Sequence, residues 1–260
     1  MFRNILLAAV LVLPTPVWAW GAEGHEVVAA MALQELSPAA RAQVTALLGS
    51  PNMLVHEANW ADEIREQRPE TGPWHYIDIP LDAAGYDAAR DCGGGNCVVA
   101  QIEAARRVLG DPRASTGARQ GALRFLIHLV ADVHQPLHAE DNQDHGGNAV
   151  HVNWMGSRTN LHHIWDTQMV AALGFNVVTI ADGLEKGVAP GQRKVWAGGT
   201  PAGWANESHA LARDVIYPLL HGRLQARLPY DYAQQMAPVT KTQLAKAGVR
   251  LAWLLNTTLK

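Results

Sequence analysis

One all-α domain is the architecture this sequence predicts. Apolar residues recur at helical spacing along almost the whole chain. No repeat period, linker or low-complexity block divides it. Its 260 residues, 48% hydrophobic and 17% charged, are enough for one sizeable core. The first helix, over 23–36, places Val27, Val28, Met31, Ala32 and Leu36 on one stripe. Ser37-Pro38 then reads as a cap followed by a first-turn proline, opening a second helix to about Leu48. Further helices are expected near 55–67, 98–109, 116–135, 161–173, 176–186 and 201–221, with two pieces between 231 and 258. The Pro- and Gly-rich stretch 67–97 reads as a long loop holding at most a short strand or hairpin at 74–80. A second loop runs from about 139 to 160.

The ends and the composition bound the setting. MFRN, the apolar run ILLAAVLVL and PTPVWA read as an export signal over residues 1–19, cut between Ala19 and Trp20, leaving one domain over 20–260. After the signal no apolar run approaches the ~20 residues of a membrane span, so no membrane anchor is expected once it is removed. Without Arg3, 20 basic residues face 24 acidic ones, so no general basic surface attracts nucleic acid. Cys92 and Cys97, spaced around GGGN, are expected to form a small disulfide in an oxidising compartment, periplasmic or extracellular.

The chemistry lies in spaced His and Asp residues. In FLIHLVADVHQPLH, His128 and Asp132 stand one helical turn apart on one face. Pro136 should end or kink that helix and turn His138 in another direction. NLHHIWDT repeats the pattern with His162 and Asp166. Two such pairs on two helices can converge inside a bundle. Asp62 in NWADEIR, His75 in WHYIDIP, His25 and the α-amine of a freed Trp20 complete the candidates. These are too many ligands for one tetrahedral ion, and no thiolate is among them. Imidazole with carboxylate suits zinc, and open positions suit catalysis. His56, His151, His209 and His221 read as ordinary core or surface residues, and His134 and His163 as neighbours of stronger candidates.

WGxxGH at the new terminus, NWADEIR, WHYIDIP, HLVADVHQPLH, GGN and NLHHIWDT occur in that order between Trp20 and Asp166. In this the chain resembles the zinc-dependent single-strand-specific nucleases of the S-one/P-one family, which includes mung bean nuclease. The resemblance implies three zinc ions. Asp62, His75, His128 and Asp132 would hold one, and His138, His162 and Asp166 a second. The amine and carbonyl of Trp20, with His25 and a bridging Asp132, would hold the third. It further implies endonuclease action on single-stranded DNA and RNA to 5′-phosphorylated products, with 3′-nucleotidase activity. Water made acidic by zinc would be the nucleophile, oriented by Asp62, while Arg65 would grip the phosphate. Tyr76 would stack on a base whose edge meets Asp78 and Asn148. His145 stands where relatives carry an apolar residue before GGN, in a loop one residue longer. Mono- or oligonucleotides are the expected partners, and no protein partner is implied. Zinc phospholipases C share such a cluster and are the alternative. His25 so close to Trp20, and Asp166 rather than Glu, point away from them. A non-enzymatic exported zinc-binding protein is the third reading.

Overall fold

The computed structural model describes residues 20–220, 222 and 224–260. The export signal expected at 1–19, and His221, lie outside the described residues. The chain is mainly helical, as expected. In order the helices are α1 (Ala22–Gln34), α2 (Pro38–Leu48), the short α3 (Met53–His56) and α4 (Trp60–Glu63), α5 (Ala88–Asp91), α6 (Val98–Gly110) and α7 (Thr116–Asp132). Then come α8 (Leu161–His163), α9 (Met169–Ala171), α10 (Val177–Gly187), α11 (Pro190–Trp196), α12 (Pro201–Leu211) and α13 (Tyr232–Thr258).

Local chemistry sets many of these boundaries. The side chains of Ser37, Ser115, Asn176 and Thr200 each accept a backbone N–H in the first turn of the helix they precede. Helix α7 ends at Asp132, and Pro136 opens a separate 3-10 turn, Pro136–His138, that re-aims His138. Helices α1, α6, α7 and α13 pack together, and the stripe from Val27 to Ala32 is buried among them.

Several expectations are corrected. The helix over 55–67 is two short pieces with turns between and after them. The helix over 161–173 contains a π turn at Ile164–Gln168, joining α8 to α9. Residues 231–258 hold one helix rather than two. Tyr232, Met236, Thr240, Leu244, Leu251 and Leu255 bury one continuous stripe, and that packing carries α13 through Pro238. Helix α11 lies where none was expected.

Segment 74–80 is neither strand nor hairpin. His75 ends a 3-10 helix, Pro69–His75, and among the described residues the extended stretch after it shares one isolated bridge, Pro80 with Asp141. The hairpin falls instead inside the loop expected over 139–160. It pairs β1 (His151–Trp154) with β2 (Ser157–Asn160), and β3 (Gln225–Arg227) runs parallel to β1 on its other side. Met155 (φ 48°) and Gly156 (φ 90°) form its two-residue turn, and two positive φ values match the twist of the flanking strands. Met-Gly is a weaker turn signal than Asn-Gly, so the sequence carries little mark of these strands.

The disulfide Cys92–Cys97 is formed, with Cα atoms 5.3 Å apart. It supports the site from behind: Trp74 Nε1 donates to Asn96 Oδ1 and Val98 N to the Tyr76 carbonyl. Among the described residues no helix is long and apolar enough to cross a membrane.

Candidate metal centre

Asp132, at the last turn of α7, lies among four imidazoles. His75 Nδ1 is 3.0 Å from its Oδ2 and His128 Nε2 is 3.3 Å from the same oxygen. His25 Nε2 from α1 is 3.4 Å from Oδ1, and His138 Nδ1 is 3.9 Å from it. Asp62, on α4, brings Oδ1 to 3.6 Å from His75 Nδ1 and 3.7 Å from His128 Nε2. The rings of His25 and His128 stack with centroids 3.7 Å apart. On the other side, His162 Nε2 lies 3.2 Å from Asp166 Oδ2 and 3.2 Å from His138 Nε2. The spacing argument therefore holds: each i, i+4 pair meets, and the two pairs converge. The π turn around Asp166 widens the helix where its carboxylate turns inward.

All eight side-chain candidates fall into three groups whose ligand atoms lie within 4.8 Å of one another: His25/Asp62/His128, His75/His128/Asp132 and His138/His162/Asp166. The donor chemistry fits cations. The Nδ1 atoms of His128, His138 and His162 donate to the main-chain carbonyls of Ala58 (2.7 Å), His75 (2.9 Å) and Gly146 (2.6 Å). Such bonds fix the tautomer and leave each Nε2 as a lone pair facing inward. The Nε2 atoms of His138 and His162 then confront each other as two acceptors, an arrangement that needs a positive charge nearby. Asp132 Oδ1, His75 Nε2, His128 Nε2 and both His25 nitrogens are buried without hydrogen-bond partners, which is costly for a site meant to stay without ions.

The titration directions agree. Burial lowers His25, His75 and His138 below the usual imidazole range, and neighbouring imidazoles add to it. Burial raises Asp132 and Asp166 well above the usual carboxylate range, with Asp62 adding to both. Burial thus disfavours charge on both kinds of group, and imidazoles kept unprotonated are the form that binds metal.

Trp20, fully buried, lies against this cluster, because Gly21 N donates to the Asp166 carbonyl at 2.7 Å. A Cβ on Gly24 would come within 2.8 Å of Trp20 Cβ, so the WGxxGH spacing needs glycine there. That contact sets Trp20 beside the first turn of α1, one turn from His25.

The sequence profile of the family described as S1/P1 Nuclease matches residues 20–260, from Trp20 to the last residue. The chain belongs to the S1/P1 nuclease family. It is accordingly a phosphodiester-cleaving enzyme. Nuclease S1 of Aspergillus oryzae (strain ATCC 42149 / RIB 40) is 33% identical over 95% of this chain and 94% of its own length. Nuclease P1 of Penicillium citrinum is 33% identical over 91% and 97%. Endonuclease 2 of Arabidopsis thaliana is 32% identical over 91% and 89%.

In this S1/P1-type chain the cluster floors a cavity of about 530 Å³. Arg65, Tyr76, Asp78, His145 and Asn148 all line it, beside His75, His138 and His162. Residues 76–79 run extended, so Tyr76 and Asp78 face the cavity while Ile77 and Ile79 enter the core. Arg65 Nη1 is 3.4 Å from Asp62 Oδ1. Enclosure raises the Asp78 carboxyl to about 6; Asp141 adds to this and His145 opposes it. Asn148 Nδ2 donates to the His145 carbonyl at 2.8 Å, and His145 itself has φ 57°.

Four other histidines stay apart from the cluster. His134 turns away: its Nε2 accepts from Arg250 at 2.8 Å beneath Trp204. His163 is exposed beside Thr167, His151 is exposed on the sheet, and His209 meets the Ala83 carbonyl.

Sequence reasoning missed three supports. Gln135 Nε2 donates to Asp166 Oδ1 at 2.7 Å while its Oε1 accepts from Leu137 N. Asn160 caps α8 through His163 N and lines the cavity. Tyr217 hydroxyl lies 2.7 Å from Glu140 and 2.8 Å from both Asp144 oxygens, and Asp144 accepts Gly147 N, which shapes the GGN loop. Gln135 and Asn160 lie inside the quoted motifs, but nothing in their spacing marks them; Tyr217 lies outside every motif.

Proposed function

We propose that this chain is an exported zinc nuclease that hydrolyses single-stranded DNA and RNA to 5′-phosphorylated products and removes 3′-phosphates from nucleotides. The observation that carries this reading is the joining of eight inward-facing imidazole and carboxylate groups to a cavity that also holds Arg65, Tyr76, Asp78 and Asn148. Asp62, His75, His128 and Asp132 would hold one zinc ion, His138, His162 and Asp166 a second, and the Trp20 amine and carbonyl with His25 and Asp132 a third. Zinc bound there would polarise phosphoryl oxygens and lower the pKa of water to about 7.

The remaining steps belong to the chain's own residues. Asp62, beside Arg65 at the cavity edge, orients the attacking water in line with the departing 3′ oxygen. Arg65 offers a fork of N–H donors to the scissile phosphate. Tyr76 offers a ring face to a base, and stacking accepts any base. Asp78 and Asn148 hydrogen-bond the base edge. A duplex keeps its bases stacked and paired, so a cavity that takes in a splayed base favours single strands.

The family match begins at Trp20, the residue that cleavage after Ala19 would free. This supports removal of residues 1–19 and a periplasmic or secreted destination. Processed protein should hold stoichiometric zinc, cut single-stranded DNA and RNA ahead of duplex, release phosphate from a 3′-mononucleotide, and lose all of this to a chelator. Processed protein that holds no zinc, or hydrolyses duplex as readily as single strands, contradicts the proposal. Phosphocholine release from phosphatidylcholine should stay at background.

A further inference from the structure

The three-stranded sheet presents two unlike faces. Val152 and Trp154 of β1 point inward, Val152 being buried. His151 and Asn153 point outward and are exposed. Register then fixes their neighbours. Asn153 is flanked directly by Arg158 of β2 and Arg227 of β3. In the adjacent row His151 stands between Asn160 and Gln225. Arg158, Arg227 and Gln225 are exposed as well. Neither arginine forms an ion pair or hydrogen bond with a described residue.

This face is continuous with the catalytic cavity. Asn160 lines that cavity, caps the helix that carries His162, and opens the His151 row. From it the outward side chains lead to a pair of guanidinium groups whose strands stand two strand spacings apart, about 10 Å. In a chain of net negative charge, two exposed arginines in one row with no carboxylate between them form a local positive site.

We propose that the outward face of this sheet is a backbone track for single-stranded nucleic acid. On it Arg158 and Arg227 hold phosphates beyond the one being cut, and Asn153 and His151 donate hydrogen bonds between them. The track rests on the nuclease reading and adds to it. Substrates long enough to reach the sheet bind through charge, whereas a dinucleotide meets only the cavity. Because phosphates are identical in every sequence, the track adds affinity without base preference.

The experiment compares processed, zinc-loaded wild type with the double variant Arg158→Gln/Arg227→Gln on a single-stranded DNA of about twenty nucleotides and on a dinucleotide. Each phosphate contact on a single strand contributes about 0.7 to the slope of log affinity against log salt. The variant should therefore lose about 1.4 of that slope and show about a tenfold higher KM on the long strand. Its kinetics on the dinucleotide, its zinc content and its unfolding temperature should be unchanged. Arg158→Lys/Arg227→Lys, which keeps the charges, should keep the slope. An unchanged slope and KM on the long strand overturn the track, and so does an equal loss on the dinucleotide. The same comparison by equilibrium binding in an Asp62→Asn background decides the track even if wild type cuts neither substrate, a result that would overturn the nuclease reading instead.

Discussion

At the scale of single residues, Asp62 and Gln135 separate two ways of serving a metal site. Asp62 Oδ1 is shared between two imidazoles and the Arg65 guanidinium, so under the proposed reading its charge would both hold a cation and aim a water. Asp62→Asn keeps the shape and removes the charge. Hydrolysis of single-stranded DNA should fall about 100- to 1000-fold, the scale of losing one stabilising group in a dry site, while elemental analysis still finds zinc. Near-wild-type turnover would remove Asp62 from the chemistry. Gln135 is fully buried, does not line the cavity and donates to Asp166, so it would act through that carboxylate. Gln135→Leu fills similar space but releases that carboxylate, and loss of such an outer partner typically weakens a metal site about 10- to 100-fold. Competition against a graded set of chelators measures it; unchanged zinc affinity would show that Asp166 holds its position unaided.

Among the elements, α12 and α13 are clasped by Glu207. Burial alone would raise this carboxyl, but hydrogen bonds from Arg250 (2.7 Å) and Lys246 (2.8 Å) outweigh it and bring it down to about 2 from 4.5. A depressed carboxylate contributes stability that is complete above pH 4.5 and fades as pH falls through 2. Glu207 is partly exposed, and screening by water leaves about 1 kcal/mol of this effect. Wild type should lead Glu207→Gln by that amount at pH 6, and the gap should close toward pH 2 in denaturant unfolding. A gap independent of pH would dismiss the clasp. The small disulfide belongs to the same scale. Cys92→Ser/Cys97→Ser should lower stability by about 2 kcal/mol, the loop-closure entropy of so short a ring, and should loosen the Tyr76 wall that it braces.

The elements also show what could be read in advance. Each pair set by helical spacing, His128 with Asp132 and His162 with Asp166, meets in the structure. The break at Pro136 occurs as its missing N–H requires. Hairpin 151–160 was hidden because its turn residues are Met155 and Gly156 and its outward positions are polar. The continuity of α13 through Pro238 was hidden too, since only tertiary burial overrides that ring. Tyr217 was invisible for a third reason: its partners, Glu140 and Asp144, lie far back along the chain.

For the whole molecule, metal and fold should be one equilibrium. The candidate ligands come from α1, α4, α7, α8, the 3-10 segments and the π turn, so an ion held by them would tie the N-terminal helix to the middle of the chain. Binding at 100 times the dissociation constant adds about 2.7 kcal/mol, and a chain of this size shifts by about 2–4 °C per kcal/mol. Chelation should therefore lower the unfolding temperature by at least about 5 °C, and added zinc should restore it. An unfolding temperature indifferent to chelator would mean that the cluster is not loaded in the folded protein.

The acceptors that orient His128, His138 and His162 are peptide oxygens of Ala58, His75 and Gly146. Aim is thus encoded by where the main chain passes, not by which side chains stand there. Two homologues could differ at position 58 and still point the same ring the same way. A comparison of letters alone would recover the candidate ligands and overlook the backbone that steers them.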